Sequence, residues 1–177
     1  DGKNGDPFKD AKSFIDVCEV QGFHAYLERS QSGNGYHVWI FFDKPIPAEK
    51  TRLVIKALLS EAQIDLRKGS FDRIFPNQDK SSGKGLGNLI ALPLQGEQKV
   101  KEGKSVFLNT NNGSKPYPDQ FEFLRTVKRV LEKQFDGLIS EWKLKSEGKN
   151  DQPKESKAHA GIGVLEQCEF YQQCKNK

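Results

Sequence analysis

Cysteine is scarce in this sequence of 177 residues, and the three cysteines, Cys18, Cys168 and Cys174, are irregularly spaced. They are too few for a disulfide framework, and no Cys-x-x-Cys pair is present. Even with His159 upstream, the two C-terminal thiols leave a zinc ion short of a fourth ligand, so we interpret the cysteines as packing groups. This cysteine usage is typical of the reducing cytoplasm, where we expect the protein to act.

Long apolar runs are also missing. No stretch of about 20 apolar residues is present, and no signal peptide is visible, so we expect no membrane association. The chain begins with Asp1 rather than Met, which predicts that it is a fragment of a longer protein. Hydrophobic residues make up 35% of the chain and 12 residues are Phe, which favours a globular domain over a disordered tail. The net charge of +4 permits a polyanionic partner but does not require one.

Hydrophobic periodicity predicts a mixed α/β (α+β) fold. We expect helices over 7–21, 48–62 and, as one long C-terminal helix, 118–142; we expect strands over 23–29, 36–42, 71–78, 88–94 and 105–108. Strand 36–42 should be buried, and the polar loop 79–87 should close a second hairpin. Residues 1–143 then form one core, 144–159 form a charged linker, and 160–177 begin a C-terminal helical extension.

The turn of the first predicted hairpin, Ser-Gly-Asn-Gly over residues 32–35, is the sharpest chemical signal. Glycines allow the backbone to approach a ligand closely, and successive N–H groups can form a nest for an anion. Hydroxyls and an imidazole nearby add donors. The residues that we assign to this anion site are Arg29, Ser30, Ser32, Gly33, Asn34, Gly35 and His37. The alternative is an ordinary hairpin turn followed by a buried histidine.

Two acids, Asp72 and Asp79, stand in the string FDRIFPNQD. An acid on a strand among apolar residues is costly to bury unless it is paired or binds a metal. In a regular hairpin Asp72 lies deep on the sheet, whereas Asp79 lies beside the turn. We therefore favour Asp72 as a metal ligand and a turn-capping role for Asp79, with a metal-binding role for Asp79 as the alternative. Arg73 should point to the opposite face of the strand.

Four blocks in the same order carry a resemblance to a known family. They are RSQSGNGYHVWIFF, FDRIFPNQD with GLGNLIALPLQG, SVFLN, and PYPDQFEFL, within residues 14–124. Together they resemble the archaeo-eukaryotic primase superfamily, in particular the primase-polymerases of TOTE conflict systems and the CRISPR-associated primase-polymerases. The resemblance implies an RRM-like mixed or antiparallel sheet flanked by helices. It also implies primase and DNA polymerase activity with a single-stranded DNA template, a primer strand, and dNTP or NTP, within a CRISPR or conflict-system polypeptide.

The same resemblance implies a site in which three carboxylates hold two divalent metals, Mg²⁺ or Mn²⁺. Two of these acids belong to an Asp-x-Asp motif, and Asp72 matches the third. His37 matches the residue that grips the incoming nucleotide, with Ser32 and the turn 33–35 beside it. Asp1 is either the second acid of Asp-x-Asp or part of the loop that follows, so the complete motif is not contained in this chain.

Two other functions stay open at this point. The chain could be a catalytically incomplete module of the same fold that only binds nucleic acid or nucleotide. It could also be a nucleotide-binding regulator or a nuclease-like enzyme that holds one metal with Asp72 and Asp79. Lys84, in the second predicted loop, is a candidate for contact with template or triphosphate, although a solvated surface lysine is the favoured interpretation there and at Lys80.

Overall fold

A computed structural model describes residues 5–66, 69–80 and 89–145. Asp1, Lys84, Cys168, Cys174, most of the predicted linker and the predicted extension 160–177 lie outside these residues. The helices are α1 Pro7–Val20, α2 Ala48–Glu61, α3 Glu97–Lys101, α4 Gln120–Thr126 and α5 Glu132–Glu141. The strands are β1 Tyr26–Arg29, β2 Tyr36–Trp39, β3 Val106–Asn109 and β4 Lys115–Pro116. None of the helices in these ranges is long and apolar enough to cross a bilayer.

The four strands form one antiparallel sheet in the order β2-β1-β3-β4. Leu27 of β1 pairs with Val38 of β2 and with Leu108 of β3. Side chains from this face pack with Ile15 of α1 in one buried cluster. The next residue along β1, Glu28, faces the opposite side, because successive strand residues alternate. Helices therefore flank an antiparallel sheet, and the predicted α+β class is confirmed.

Helix α1 begins and ends where the sequence predicts. The Asp6 carboxylate accepts hydrogen bonds from the N–H groups of Phe8 and Lys9, both at 3.0 Å, and so caps the helix. At the other end Gly22 has a φ of 74°, and the N–H of Phe23 donates to the Cys18 carbonyl at 2.8 Å. Phe23 thereby turns back into the core that α1, α2 and α5 share. There its ring packs edge-on against the ring of Phe135 of α5, with 5.0 Å between the ring centroids.

The prediction of a single long C-terminal helix over 118–142 is wrong. The structure has two helices there, α4 and α5, separated by residues 127–131. Phe123 of α4 packs against Phe107 at 5.1 Å, on the face of the sheet opposite α1. Phe135 and Leu138 of α5 instead lie in the core that α1 and α2 share. One straight helix cannot reach both faces of a sheet. The connection runs extended, and the fully buried Val130 forms a parallel bridge with Phe42.

The second predicted hairpin is also absent from the described residues. Residues 71–80 and 89–94 contain no strand. Pro76 has no N–H to donate to a strand ladder, and Leu89, Ile90 and Leu92 are exposed rather than packed on a sheet. Strand β2 is shorter and less buried than predicted, since it ends at Trp39 and lies at the sheet edge. Helix α3 and strand β4 were not predicted.

Candidate active site

A cleft of about 760 Å³ follows the edge strand β2. Its other walls come from the start of α1, from one side of α2 and from residues 70–76. His37 and Asp72, which lie far apart in the sequence, both line this cleft, and so do Ser30 and Ser32. Arg29, Gly33, Asn34, Gly35 and Asp79 are not among its lining residues. The structure thus brings the predicted histidine, one predicted acid and two predicted hydroxyls to one cavity.

Hydrogen bonds inside the 30–35 turn use its backbone donors. The N–H of Gly33 donates to the Ser30 carbonyl at 2.9 Å, and the N–H of Asn34 donates to Ser32 Oγ at 3.2 Å. The N–H of Gly35 donates to Ser30 Oγ at 3.1 Å. The N–H groups of Gly33, Asn34 and Gly35 are therefore used inside the turn. Ser30 and Ser32 line the cleft, and their hydroxyls lie 3.0 Å apart and share a hydrogen bond.

The turn is held from outside by the link between α3 and β3. Arg29 Nη1 donates to the carbonyl of Gly103 at 3.3 Å, so this guanidinium has a structural contact. Gly33 has a φ of 81°, and a Cβ on it would lie 3.0 Å from Lys104 Cε. Lys104 in turn pairs with Glu102 at 2.8 Å, and this hydrogen bond lowers the pKa of the Glu102 carboxyl. Glycine therefore suits residue 33 mainly because of its positive φ, and the flexible Lys104 side chain adds a smaller steric restriction.

Glu28 is a residue of the site that the sequence analysis missed. It lies opposite His37 in the hairpin and only 2% of it is exposed. Its Oε2 accepts hydrogen bonds from Trp39 Nε1 at 2.5 Å and from His37 Nδ1 at 3.1 Å. The hairpin turn contained the signal: once Arg29 pairs with Tyr36, the residue before Arg29 must face His37.

The sequence predicted that Asp72 lies deep on a sheet, and this prediction is wrong. Asp72 belongs to an irregular segment, and its side chain is 63% exposed. Arg73 Nε lies 2.7 Å from its Oδ2, so the two neighbours pair instead of pointing to opposite faces. Alternation of side chains holds only on a regular strand, and this segment is not one. Asp72 is therefore an accessible carboxylate in the wall of the cleft.

Asp79 contacts a buried arginine, whereas residues 81–88 of the loop that it was predicted to cap lie outside the described part of the chain. Arg52 of α2 has a side chain that is 7% exposed, and its Nε donates to Asp79 Oδ1 at 2.5 Å. Its Nη1 donates to the carbonyl of Pro76 at 2.8 Å. The two contacts fix residues 76–79 to α2.

A family model of the archaeo-eukaryotic primase domain of TOTE conflict systems matches residues 1–138. The chain belongs to this family. The match covers all the elements that surround the cleft, and it confirms the resemblance found in the sequence. A search of curated proteins found no match to the chain. Members of the archaeo-eukaryotic primase family are in general nucleotidyltransferases that act on nucleic acid and nucleotides.

Enzymes of this primase family typically use divalent metals, and carboxylates are the usual ligands of such metals. Over residues 5–66, 69–80 and 89–145, no group of three or more His, Cys, Asp or Glu side chains is placed to hold a metal. Asp72 offers one accessible carboxylate, whereas Mg²⁺ is usually held by one or two carboxylates together with substrate phosphates. The described residues alone do not make up the three-carboxylate site. Asp1, the other predicted ligand, lies outside them.

Proposed function

We propose that this chain is the catalytic core of a primase-polymerase that synthesises and extends primers on a single-stranded DNA template. The supporting observation is that His37 and Asp72 line one cleft in a chain of the primase family. In the reaction, the 3′-hydroxyl oxygen of a primer forms a bond to the α-phosphorus of a nucleoside triphosphate. The bond between that phosphorus and the bridging α–β oxygen breaks, pyrophosphate leaves, and the hydroxyl proton passes to solvent.

In this proposal His37 binds the triphosphate. Its Nδ1 is engaged with Glu28, so Nε2 is the ring nitrogen left for a ligand, and the side chain is 48% exposed. Ser30 and Ser32 line the same cleft, and because their hydroxyls share one hydrogen bond, the pair can offer a phosphate oxygen one further hydroxyl proton. The contribution of these residues is positioning and electrostatic stabilisation of an anionic ligand.

Asp72 is the proposed metal ligand among the described residues, and Asp1 is the candidate for a further one. When bound, two Mg²⁺ or Mn²⁺ ions would neutralise the triphosphate and favour ionisation of the attacking hydroxyl. The ion pair with Arg73 is exposed at both ends, so it is weak enough for a metal to replace Arg73 as the partner of Asp72.

A catalytically incomplete binding module is the second candidate function. The observation that favours it is that, among the described residues, the acids lining the cleft are Asp10 of α1 and Asp72, and no group of three or more His, Cys, Asp or Glu is placed to hold a metal. Such a module would bind nucleotide or single-stranded DNA in the same cleft and form no product.

Primer extension and primer synthesis test the proposal. The protein is expressed with any residues that its gene encodes before Asp1, and is given single-stranded DNA, labelled dNTPs or NTPs, and Mg²⁺ or Mn²⁺. We expect Asp72→Ala and His37→Ala each to lower product formation by at least about 100-fold, the scale for loss of a preorganised charge contact. Asp16→Ala, an exposed acid on α1 outside the cleft, is the matched control and should keep full activity.

Three results would count against this assignment. Full activity of Asp72→Ala together with an inactive Asp79→Ala would transfer the metal-binding role to Asp79. Full activity of both Asp72→Ala and His37→Ala would overturn the polymerase site. Nucleotide binding without product in the wild-type protein would favour the binding module.

A further inference from the structure

Glu28 is a buried acid for which the fold alone gives no full account. It lies on the central pair of strands with 2% of its surface exposed. Burying a carboxylate costs roughly several kcal/mol unless hydrogen-bond donors replace the water molecules that it loses. Three donors do so here: Trp39 Nε1 at 2.5 Å, His37 Nδ1 at 3.1 Å and Ser105 Oγ at 3.5 Å. Within the described part of the chain, no Lys or Arg pairs with it.

Of these three donor residues, His37 and Trp39 line the cleft, and only the His37 side chain has a second polar atom. An imidazole has two ring nitrogens that point in diverging directions, and the group bonded to one decides which protonation form the other presents. Nδ1 is turned to the buried carboxylate and 48% of the side chain is exposed, so we infer that Nε2 is the ring nitrogen open to a ligand. A phosphate oxygen is an acceptor only, so His37 can bind it through Nε2 only when that nitrogen carries a proton.

With Nδ1–H already donated to Glu28, a proton on Nε2 makes the ring an imidazolium. The carboxylate then supplies the opposite charge at 3.1 Å from Nδ1. A charge-assisted hydrogen bond to phosphate is stronger than one from a neutral ring. The pair thus presents a cationic donor to an anionic ligand while its own charge is balanced inside the sheet.

We propose that Glu28 is the positioning residue for His37: it orients the ring through Nδ1 and balances the imidazolium that binds the triphosphate through Nε2. This inference rests on the proposed function, in which His37 is the triphosphate contact. It predicts that Glu28 acts on the phosphate part of a nucleotide through His37 and leaves contacts to the base and sugar unchanged.

Glu28→Gln is the decisive substitution, because glutamine keeps the shape and an acceptor for Trp39 Nε1 but removes the charge. The probes are a dNTP with an α,β-methylene bridge and the corresponding deoxynucleoside, each with Mg²⁺. We expect Glu28→Gln to weaken binding of the triphosphate analogue by about tenfold, or about 1.4 kcal/mol, and to leave deoxynucleoside binding unchanged. Ser105→Ala removes the 3.5 Å contact to Glu28 and the 3.3 Å hydrogen bond that Ser105 Oγ accepts from the Gln95 N–H, but it keeps the charge of Glu28. It is the control and should keep the affinity for both probes.

A double-mutant cycle separates positioning from a purely structural role. In the His37→Ala background, Glu28→Gln should cause no further loss of affinity, because its effect passes through His37. ¹⁵N NMR of the His37 ring gives an independent readout. In the wild-type complex both ring nitrogens should carry protons, and in Glu28→Gln the ring should lose the proton on one of them.

The outcomes distinguish this inference from the proposed function. If the wild-type protein does not bind the analogue, or if His37→Ala binds it normally, the triphosphate role of His37 fails and the inference fails with it. If His37→Ala weakens binding but Glu28→Gln does not, only the inference is overturned. The inference would also be overturned if Glu28→Gln weakened triphosphate and deoxynucleoside binding equally, or if the losses of affinity in the double-mutant cycle were additive. A misfolded sheet would produce both results.

Discussion

Arg52 and Asp79 join helix α2 to the segment that carries Asp72, and this pair leads to a prediction about stability. Asp79→Ala should destabilise the fold, although Asp79 does not line the cleft. Asp72→Ala should not, although Asp72 lies in the same segment and also pairs with an arginine. Both substitutions remove an aspartate carboxylate, so the difference in destabilisation depends on the environment of each partner arginine.

The magnitude follows from burial. The Arg52 side chain is 7% exposed and loses a carboxylate at 2.5 Å, whereas the Arg73 side chain is 57% exposed and returns to water. Breaking a fully buried ion pair costs about 3–5 kcal/mol, and an exposed pair contributes about 0–1 kcal/mol. Asp79 is 42% exposed, so water screens the pair in part, and Arg52 keeps its bond to Pro76. We expect a loss of about 2 kcal/mol for Asp79→Ala and under about 0.5 kcal/mol for Asp72→Ala.

Urea unfolding followed by circular dichroism measures both values, and a thermal scan checks them. At about 3 °C per kcal/mol for a domain of this size, Asp79→Ala should lower Tm by about 6 °C. Arg52→Met combined with Asp79→Ala should cost no more than Arg52→Met alone, because the acid has no partner left to lose. Equal changes in Tm for Asp72→Ala and Asp79→Ala would refute the argument from burial, and so would strict additivity in the double variant.

Two further predictions concern the turn and the buried thiol. Gly33→Ala should lower the free energy of unfolding by about 1–2 kcal/mol, because alanine is strained at a φ of 81° and its Cβ meets Lys104. Gly137→Ala, in open space on α5, should raise the free energy of unfolding by about 0.5–1 kcal/mol. Urea unfolding of both variants measures these changes, and a stabilising Gly33→Ala would contradict the argument. Burial raises the pKa of the Cys18 thiol from 9.0 to about 12. The unfolded chain therefore loses this proton first, and stability should fall between pH 9 and 12 by at most about 1.4 kcal/mol per pH unit, a dependence that Cys18→Ala should flatten. Iodoacetamide labelling read by peptide mass spectrometry should leave Cys18 unmodified until urea unfolds the chain, and rapid labelling of the folded protein would refute its burial.

Local signals in the sequence were sufficient for the first hairpin and for α1. The Asp6 cap, the Gly22 stop and the Gly-rich turn each act over a few residues, and the structure confirms all three. The same kind of signal failed for the C-terminal helix. The periodicity of one long helix places Phe121 and Phe135 on a single apolar face. In the structure Phe121 is 54% exposed, Phe123 is buried on the sheet face opposite α1, and Phe135 is buried in the core that α1 and α2 share.

The candidate site shows the same division. Family resemblance and motif spacing predicted His37 and Asp72 as partners, and the structure places both in one cleft. Glu28 was missed because its importance depends on the strand register. Arg52 was missed because its partner is 27 positions away and lies on an irregular segment. Pairs of this kind depend on tertiary structure, to which hydrophobic patterns of neighbouring residues are insensitive.

The pairing of β1 has a consequence for the order of folding. Leu27 pairs with Val38, eleven positions along the chain, and with Leu108, eighty-one positions along. Closing the longer loop costs more chain entropy, so the first hairpin with its turn should form before β3 docks. The contact between His37 and Glu28 would then be made early, while Ser105 reaches Glu28 only when β3 docks. Substitutions in the β1–β2 hairpin should therefore slow refolding, and substitutions in β3 should mainly speed unfolding.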